Sequence, residues 1–281
     1  MLQLEPVIEF LTSQDVLVHI IAFAAALPRL LVLIGMAPFF GPAVTGSVSI
    51  ALVAALQLPL HPYLVYEVQH SGIMENFSVL WLSLIILKEC LLGLAFTLCA
   101  SLMFYVAISA GMIIDNQRGA SQAQTSDLLT GEENSPFGSV LFLSLVTLFY
   151  ASGAIIIFMS LFYNSYAFWP VFSLTPAFTS ANFGIFMASL VNGMAVQALL
   201  LCAPFVLVAL MSDVSLGLVN RFAPQLNVFI LSMGIKSLLC ALLIVFFIAP
   251  YFNIGAGLLE KSNGYLRELV GVLGGRTLIM P

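Results

Sequence analysis

An all-α membrane protein with about six long apolar helices is the fold this sequence predicts, and three observations carry that prediction. Hydrophobic residues make up 61% of the chain and charged residues only 7%, against about a quarter charged in soluble domains. The apolar runs are long and unbroken, and about 20 such residues span a bilayer as a helix. Alternation every second residue, the pattern of a membrane barrel, is missing, and open sheet edges are not tolerated in lipid.

The first apolar run covers residues 16–40. Before it stand Glu5, Glu9 and Asp15 and no basic residue. The positive start of a cleavable signal is therefore lacking, and the run is expected to persist as a helix. Pro28 and Arg29 lie in its middle, and it ends in MAPFFGPAVTG, whose prolines and glycines break or kink helices. Backbone groups freed in this way need protein or water to satisfy them at membrane depth, so this end is expected to face protein. The next runs are 44–60 and 79–110. The latter is too long for one perpendicular crossing and carries Lys88 and Glu89 near its start, which predicts tilt or projection beyond the bilayer.

Residues 111–138, GMIIDNQRGASQAQTSDLLTGEENSPFG, form the longest polar interruption. They hold Asp115, Arg118, Asp127, Glu132 and Glu133, five side chains from the protein's total of 8 basic and 13 acidic ones. Asp115 and Arg118 are three apart, a spacing that suits an ion pair on a helix end. Asn116, Gln117, Gln122, Gln124 and Ser126 add donors and acceptors with little bulk, and Gly111, Gly119 and Gly131 add backbone freedom. Composition alone describes a solvated loop. The functional alternative is a plug or gate lining a pore.

Runs at 137–163, 183–212 and 226–249 complete the six. Between the first two, residues 164–182 carry no charge and are rich in Phe, Tyr and Pro, with Trp169, which suits an interfacial belt or a protein contact. Polar residues inside the apolar runs, such as Gln57, Asn192 and Gln197, favour contact with helices over contact with lipid. Pro224 is expected to end the fifth helix near Phe222, leaving Arg221 in its last turn, where a cation suits the helix dipole. The next helix is expected from about Gln225. Asp213 and Lys236 then both lie roughly 16 to 18 Å from the turn, at 1.5 Å per residue. An antiparallel hairpin would bring them together as a buried ion pair. Charges inside membranes are usually paired or functional, so the plain reading is a clamp on hairpin register and the sharper one a proton or ion relay.

In residues 258–273, Leu259, Tyr265, Leu266, Leu269, Val270 and Leu273 fall near helical spacing with Glu260, Lys261, Arg267 and Glu268 between them. This is an amphipathic helix for a membrane surface or a partner. Lys261, Arg267 and Arg276 direct the tail to the cytoplasm. Six ordinary crossings would put the acidic N-terminus on that side too, so one segment is expected to cross differently. The expected organisation is a helical part at 1–110, the polar plug-like stretch at 111–138, a second helical part at 139–250 and a tail at 251–281.

Cys90, Cys99, Cys202 and Cys240 lie in apolar runs without CxxC spacing, and His19, His61 and His70 have no ligand spacing. Buried free thiols, no metal and no cofactor are the reading. Nucleotide loops, catalytic triads and paired carboxylates at usable spacing are lacking, so no enzyme is expected.

Together, GMIIDNQRG at 111–119, Ser135-Pro136, and DVSLGLVNRFAPQLNVF at 213–229 with Lys236 resemble the FliR/SctT family, export-gate components of bacterial flagella and type III secretion injectisomes. The similarity covers nearly the whole chain, and the DNQRG form is more like the injectisome branch. Asp127 is followed by Leu128, where many relatives have Asp-Pro, which changes the expected local turn.

The resemblance implies an inner-membrane channel subunit that passes unfolded proteins. One copy would join several copies of SctR/FliP-type and SctS/FliQ-type subunits in a helical cone raised towards the periplasm, with a SctU/FlhB-type switch protein on the cytoplasmic side. It maps Asp115, Gln117, Arg118 and Gly119 onto a gate loop in the lumen, and Asp213, Asn220, Arg221, Pro224, Gln225 and Lys236 onto the hairpin. The competing class is a stand-alone secondary transporter of a small solute, which would show matching broken helices in two halves. No convincing repeat is present.

Overall fold

The computed structural model describes residues 14–41, 44, 46–70, 79–119, 135–174, 183–223, 225 and 227–272. Every regular element among them is helical: α1 Gln14–Met36, α2 Ser47–Gln57, α3 His61–His70, α4 Val79–Gln117, α5 Pro136–Ala151, α6 Ala154–Phe168, α7 Phe183–Phe222 and α8 Val228–Val272. Among the described residues, five stretches are long and apolar enough to cross a membrane, and the bent pair α5 and α6 adds a sixth if counted as one span. The chain is a multi-pass membrane protein.

Local chemistry explains where these helices begin and end. Pro28 sits inside α1 without ending it, and a 3-10 turn at Pro38–Phe40, closed by Gly41 at φ 76°, follows. Ser135 caps α5 by accepting from the Gly138 N–H, with Pro136 just inside the helix, where its missing N–H costs nothing. Helix α7 ends at Phe222 with Arg221 in its last turn, as the proline two residues on requires. The following helix starts at Val228 rather than near Gln225, because Asn227 serves as its cap and accepts from the Ile230 N–H at 3.5 Å.

Two expectations are corrected. The run 137–163 is not one rod but two helices bent by 74°. Gly153 takes φ 71° at the break, a conformation open to glycine and costly for other residues. The amphipathic helix expected at 258–273 is present through Val272, not as a separate element but as the end of α8, which continues through Pro250. Its Leu258, Leu259, Leu266, Leu269 and Val270 are buried by the chain itself, while Glu260, Lys261, Arg267 and Glu268 are exposed.

The chain forms two compact units. Unit 1 comprises Met1–Ser101, Ile156–Gly184 and Asn263–Pro281. Its core includes Leu30, Leu33, Leu64, Phe158, Phe162 and Tyr166, with edge-to-face rings at Phe39–Phe158 and Phe96–Phe162. The buried Gln57 donates to Phe23 O at 2.6 Å, so this polar residue ties α2 to α1. Unit 2 comprises Leu102–Ile155 and Ile185–Ser262. Phe104 packs on Phe149 and Phe205 on Phe247, and Tyr251 Oη donates to Leu141 O at 2.5 Å.

Burial divides helices of equal apolarity. The most apolar stretch of Leu80–Gln117 has mean hydropathy 2.2 and is 72% buried, whereas that of Val228–Gly271 reaches 2.4 and is 6% buried.

Candidate functional site

In unit 2, the end of α4 and the start of α5 form the neck of the long polar segment. Asp115 and Gln117, expected in a loop, lie instead in the last turn of α4, and Arg118 and Gly119 form the turn that follows. Polar residues suit that place because the last carbonyls of a helix lack intrahelical donors. Gly119 at φ 81° ends the helix, its N–H donating to Asn116 O at 3.1 Å. Asp115, itself buried, joins both sides of the neck. It accepts from Arg118 Nε at 2.6 Å, from Ser135 Oγ at 2.5 Å and from the Phe137 N–H at 3.1 Å. The Arg118 guanidinium lies 4.8 Å from the Phe137 ring centroid. One turn earlier, a Cβ on Gly111 would collide with the backbone of Gly138, so α4 and α5 touch glycine to glycine. Residues 120–134 of the expected plug lie outside the described residues.

The hairpin of α7 and α8 does bring its two charges together, with Lys236 Nζ 2.5 Å from Asp213 Oδ1. Lys236 also donates to Gln117 O at 3.3 Å, capping α4, and Met233 packs against Gly119. The cluster is not buried by this chain, however. The Asp213 side chain is 44% exposed, and Asn220, Arg221 and Gln225 are exposed as well. Pro224 lies outside the described residues. The ion pair is therefore formed as expected, but this chain does not bury it, because no described element packs over the Asp213 side of the hairpin.

A second charged cluster, in unit 1, joins residues that the sequence reading noted separately. Arg29 on α1 and Glu89 on α4 meet in a two-pronged pair, Nε to Oε2 at 2.7 Å and Nη2 to Oε1 at 2.9 Å, with neither side chain exposed. Arg29 also donates to Ser165 Oγ at 2.9 Å and Trp169 O at 3.3 Å, and its guanidinium stacks 4.0 Å from the Tyr166 ring centroid. Lys88 Nζ lies 2.9 Å from Glu89 Oε1 and donates to the carbonyls of Pro170, Val171 and Ser173. Much of the uncharged 164–182 stretch is thereby fastened to α1 and α4. Gly93, one turn past Glu89, makes the approach possible, because a Cβ there would lie 2.7 Å from Arg29 O.

The family model for bacterial export proteins, family 1, matches residues 20–262, a span that holds all three clusters. The chain belongs to this family of bacterial export proteins. It is 32% identical over 228 residues to the Yop proteins translocation protein T of Yersinia pestis, covering 81% of this chain and 86% of that one. It is 37% identical over 159 residues to the surface presentation of antigens protein SpaR of Shigella flexneri, covering 57% of this chain and 60% of the relative. The flagellar biosynthetic protein FliR of Bacillus subtilis matches at 27% over 191 residues, covering 68% of this chain and 74% of the relative. The FliR/SctT resemblance is thus established, with injectisome-type relatives at higher identity than this flagellar one.

As a member of an export family, the chain is not an enzyme. What its clusters can do is hold helices in register and present polar groups to neighbours. The signal for the Arg29 network was the two bases and one acid inside apolar runs, since charges at membrane depth seek each other. Their separation of 60 positions hid the pairing.

Proposed function

We propose that this chain is a subunit of a type III secretion export gate. It forms part of the inner-membrane channel through which unfolded proteins are exported, and the segment after Gly119 helps to keep that channel closed. Family membership across residues 20–262 supports the export role. The observation that carries the subunit reading is the bare hairpin: α7 and α8 leave their apolar surface uncovered while presenting Asp213, Asn220 and Arg221 on it. Lipid suits the hydrocarbon but not the charges, and water suits the charges but not the hydrocarbon. Protein neighbours suit both.

The neighbours proposed are subunits of the SctR/FliP and SctS/FliQ types, with a SctU/FlhB-type switch protein at the cytoplasmic side. Within the basal body the assembly would sit raised towards the periplasm. Energy for transport comes from elsewhere in the machine. Asp115 anchors both ends of the plug, and a working plug must itself be weakly held, because polar groups buried deeply without partners are costly. Deleting residues 119–130 should raise ion leakage through the assembled complex. Unchanged conductance in planar bilayers would sink the plug role.

A further inference from the structure

His19 on α1 and His61 at the start of α3 form an acid-released clasp, and we infer that protonation of the pair frees the first turns of α1 from α3. This goes beyond the export reading and does not depend on it. His19 Nδ1 lies 3.0 Å from His61 Nε2. The rings are within 24° of parallel, with centroids 5.1 Å apart, and nitrogens this close do not belong to two rings lying face on face. They meet edge to edge, so that an N–H of one points along the lone pair of the other. His61 Nδ1, on the far side of its ring, is buried and has no hydrogen-bond partner among the described residues. His19, by contrast, is exposed.

Counting protons decides what the pair can do. Two neutral rings carry two N–H groups on four nitrogens. One fills the contact, and the other belongs on Nε2 of the exposed His19, because a buried donor without an acceptor is costly. His61 Nε2 therefore donates and His19 Nδ1 accepts. A third proton has no such place: it either puts an N–H on the enclosed His61 Nδ1 or sets two N–H groups against each other across the contact. Parting the rings relieves both, because each N–H then finds solvent. A metal shared by the two rings would meet the same obstacle, since a neutral ligand ring keeps its proton on the other nitrogen, here His61 Nδ1.

The charged groups described around the pair are engaged elsewhere. No carboxylate among the described residues lies within ion-pair distance of either ring. On α1, Arg29 is held by Glu89 of α4, and α2 carries no charge. On α3, Glu67 faces Lys88, Glu89 and Arg29, Tyr63 faces Glu67, and His70 donates to Tyr66 O. Asp15 stands four residues before His19, and its side chain lies outside the described residues. One turn further along α1, Gln57 Nε2 donates to Phe23 O at 2.6 Å. Acid does not touch that bond, so opening stops there.

The test uses the full chain in detergent, with spin-labelled residues replacing Ile20 and Gln69, both exposed. Their separation is read by double electron–electron resonance at about pH 8 and about pH 5, the range over which histidine changes charge. At the higher pH the otherwise wild-type chain should show one short distance. At the lower, the ratio of closed to open chains should fall by about 5-fold, the equilibrium worth of one hydrogen bond. His19→Gln combined with His61→Gln, which can bond without titrating, should give the same distances at both values, and His19→Ala should be open at both. Asp15→Asn should respond as the parent does. Distances that ignore pH in the parent chain, a response that survives in the double Gln variant, or a His19→Ala chain that stays closed overturns the clasp. A response abolished by Asp15→Asn alone assigns it to that carboxylate and overturns the clasp as well.

Discussion

Arg29 and Glu89 meet with no exposed surface, whereas Asp213 and Lys236 meet with the carboxylate almost half open, although both pairs join long apolar helices. The first pair is completed from within: a second base, a serine, a tryptophan carbonyl and a tyrosine ring surround it, and Gly93 lets the two helices close. Beside the second, the Gln117 carbonyl accepts from Lys236. A charge pair sealed by its own chain is scaffold. One left open on hydrocarbon is where the proposed contact would fall, because a charge facing lipid is expensive until protein covers it.

Breaking the sealed pair should have the largest effect. Glu89→Ala leaves Arg29 buried and unpaired, which costs about 3 to 5 kcal/mol. Thermal unfolding in detergent should show the loss, and Arg29→Met combined with Glu89→Leu should recover most of it. A double variant as unstable as the single one would mean that packing, and not the charge, holds unit 1 together.

The neck stands between the two extremes, since Asp115 is buried but lies beside the segment proposed to move. Asp115→Asn keeps the shape and weakens three charge-assisted contacts, at a cost of about 1.5 to 3 kcal/mol. Hydrogen exchange at the Phe137 amide should speed up correspondingly, and an unchanged rate would remove Asp115 as the tie between α4 and α5. The smallest effect on the lone chain is expected for Asp213→Asn, within about 1 kcal/mol for an exposed pair. Recovery of the assembled complex should fall all the same. Normal assembly with lost export would favour a relay over a clamp.

The contrast also separates what the sequence makes legible from what it hides. Apolar runs and helix ends are local, so the six runs and the end of α7 before Pro224 can be read from composition and from proline's missing N–H. The meeting of Asp213 and Lys236 follows from the same logic, being equally far from one turn. Breaks and distant partners are not local. A lone glycine in an apolar run reads as helix, and only its positive φ shows that Gly153 divides α5 from α6. The sequence divides the run 226–249 from a tail at 251–281, yet α8 passes through Pro250 and its buried leucines continue the run. The charge of the Asp213 cluster was legible, but its exposure was not, since burial depends on what else the chain brings alongside.

The central claim, that the open hairpin awaits other subunits, is tested most directly by co-expressing the chain with SctR/FliP-type and SctS/FliQ-type proteins of its own system. The purified complex is then analysed by native mass spectrometry, with hydrogen exchange read on α7 and α8. The account predicts a defined complex containing a single copy of this chain, with slower exchange around Asp213 than in the chain alone. A monodisperse monomer or homodimer that ignores those partners would contradict it.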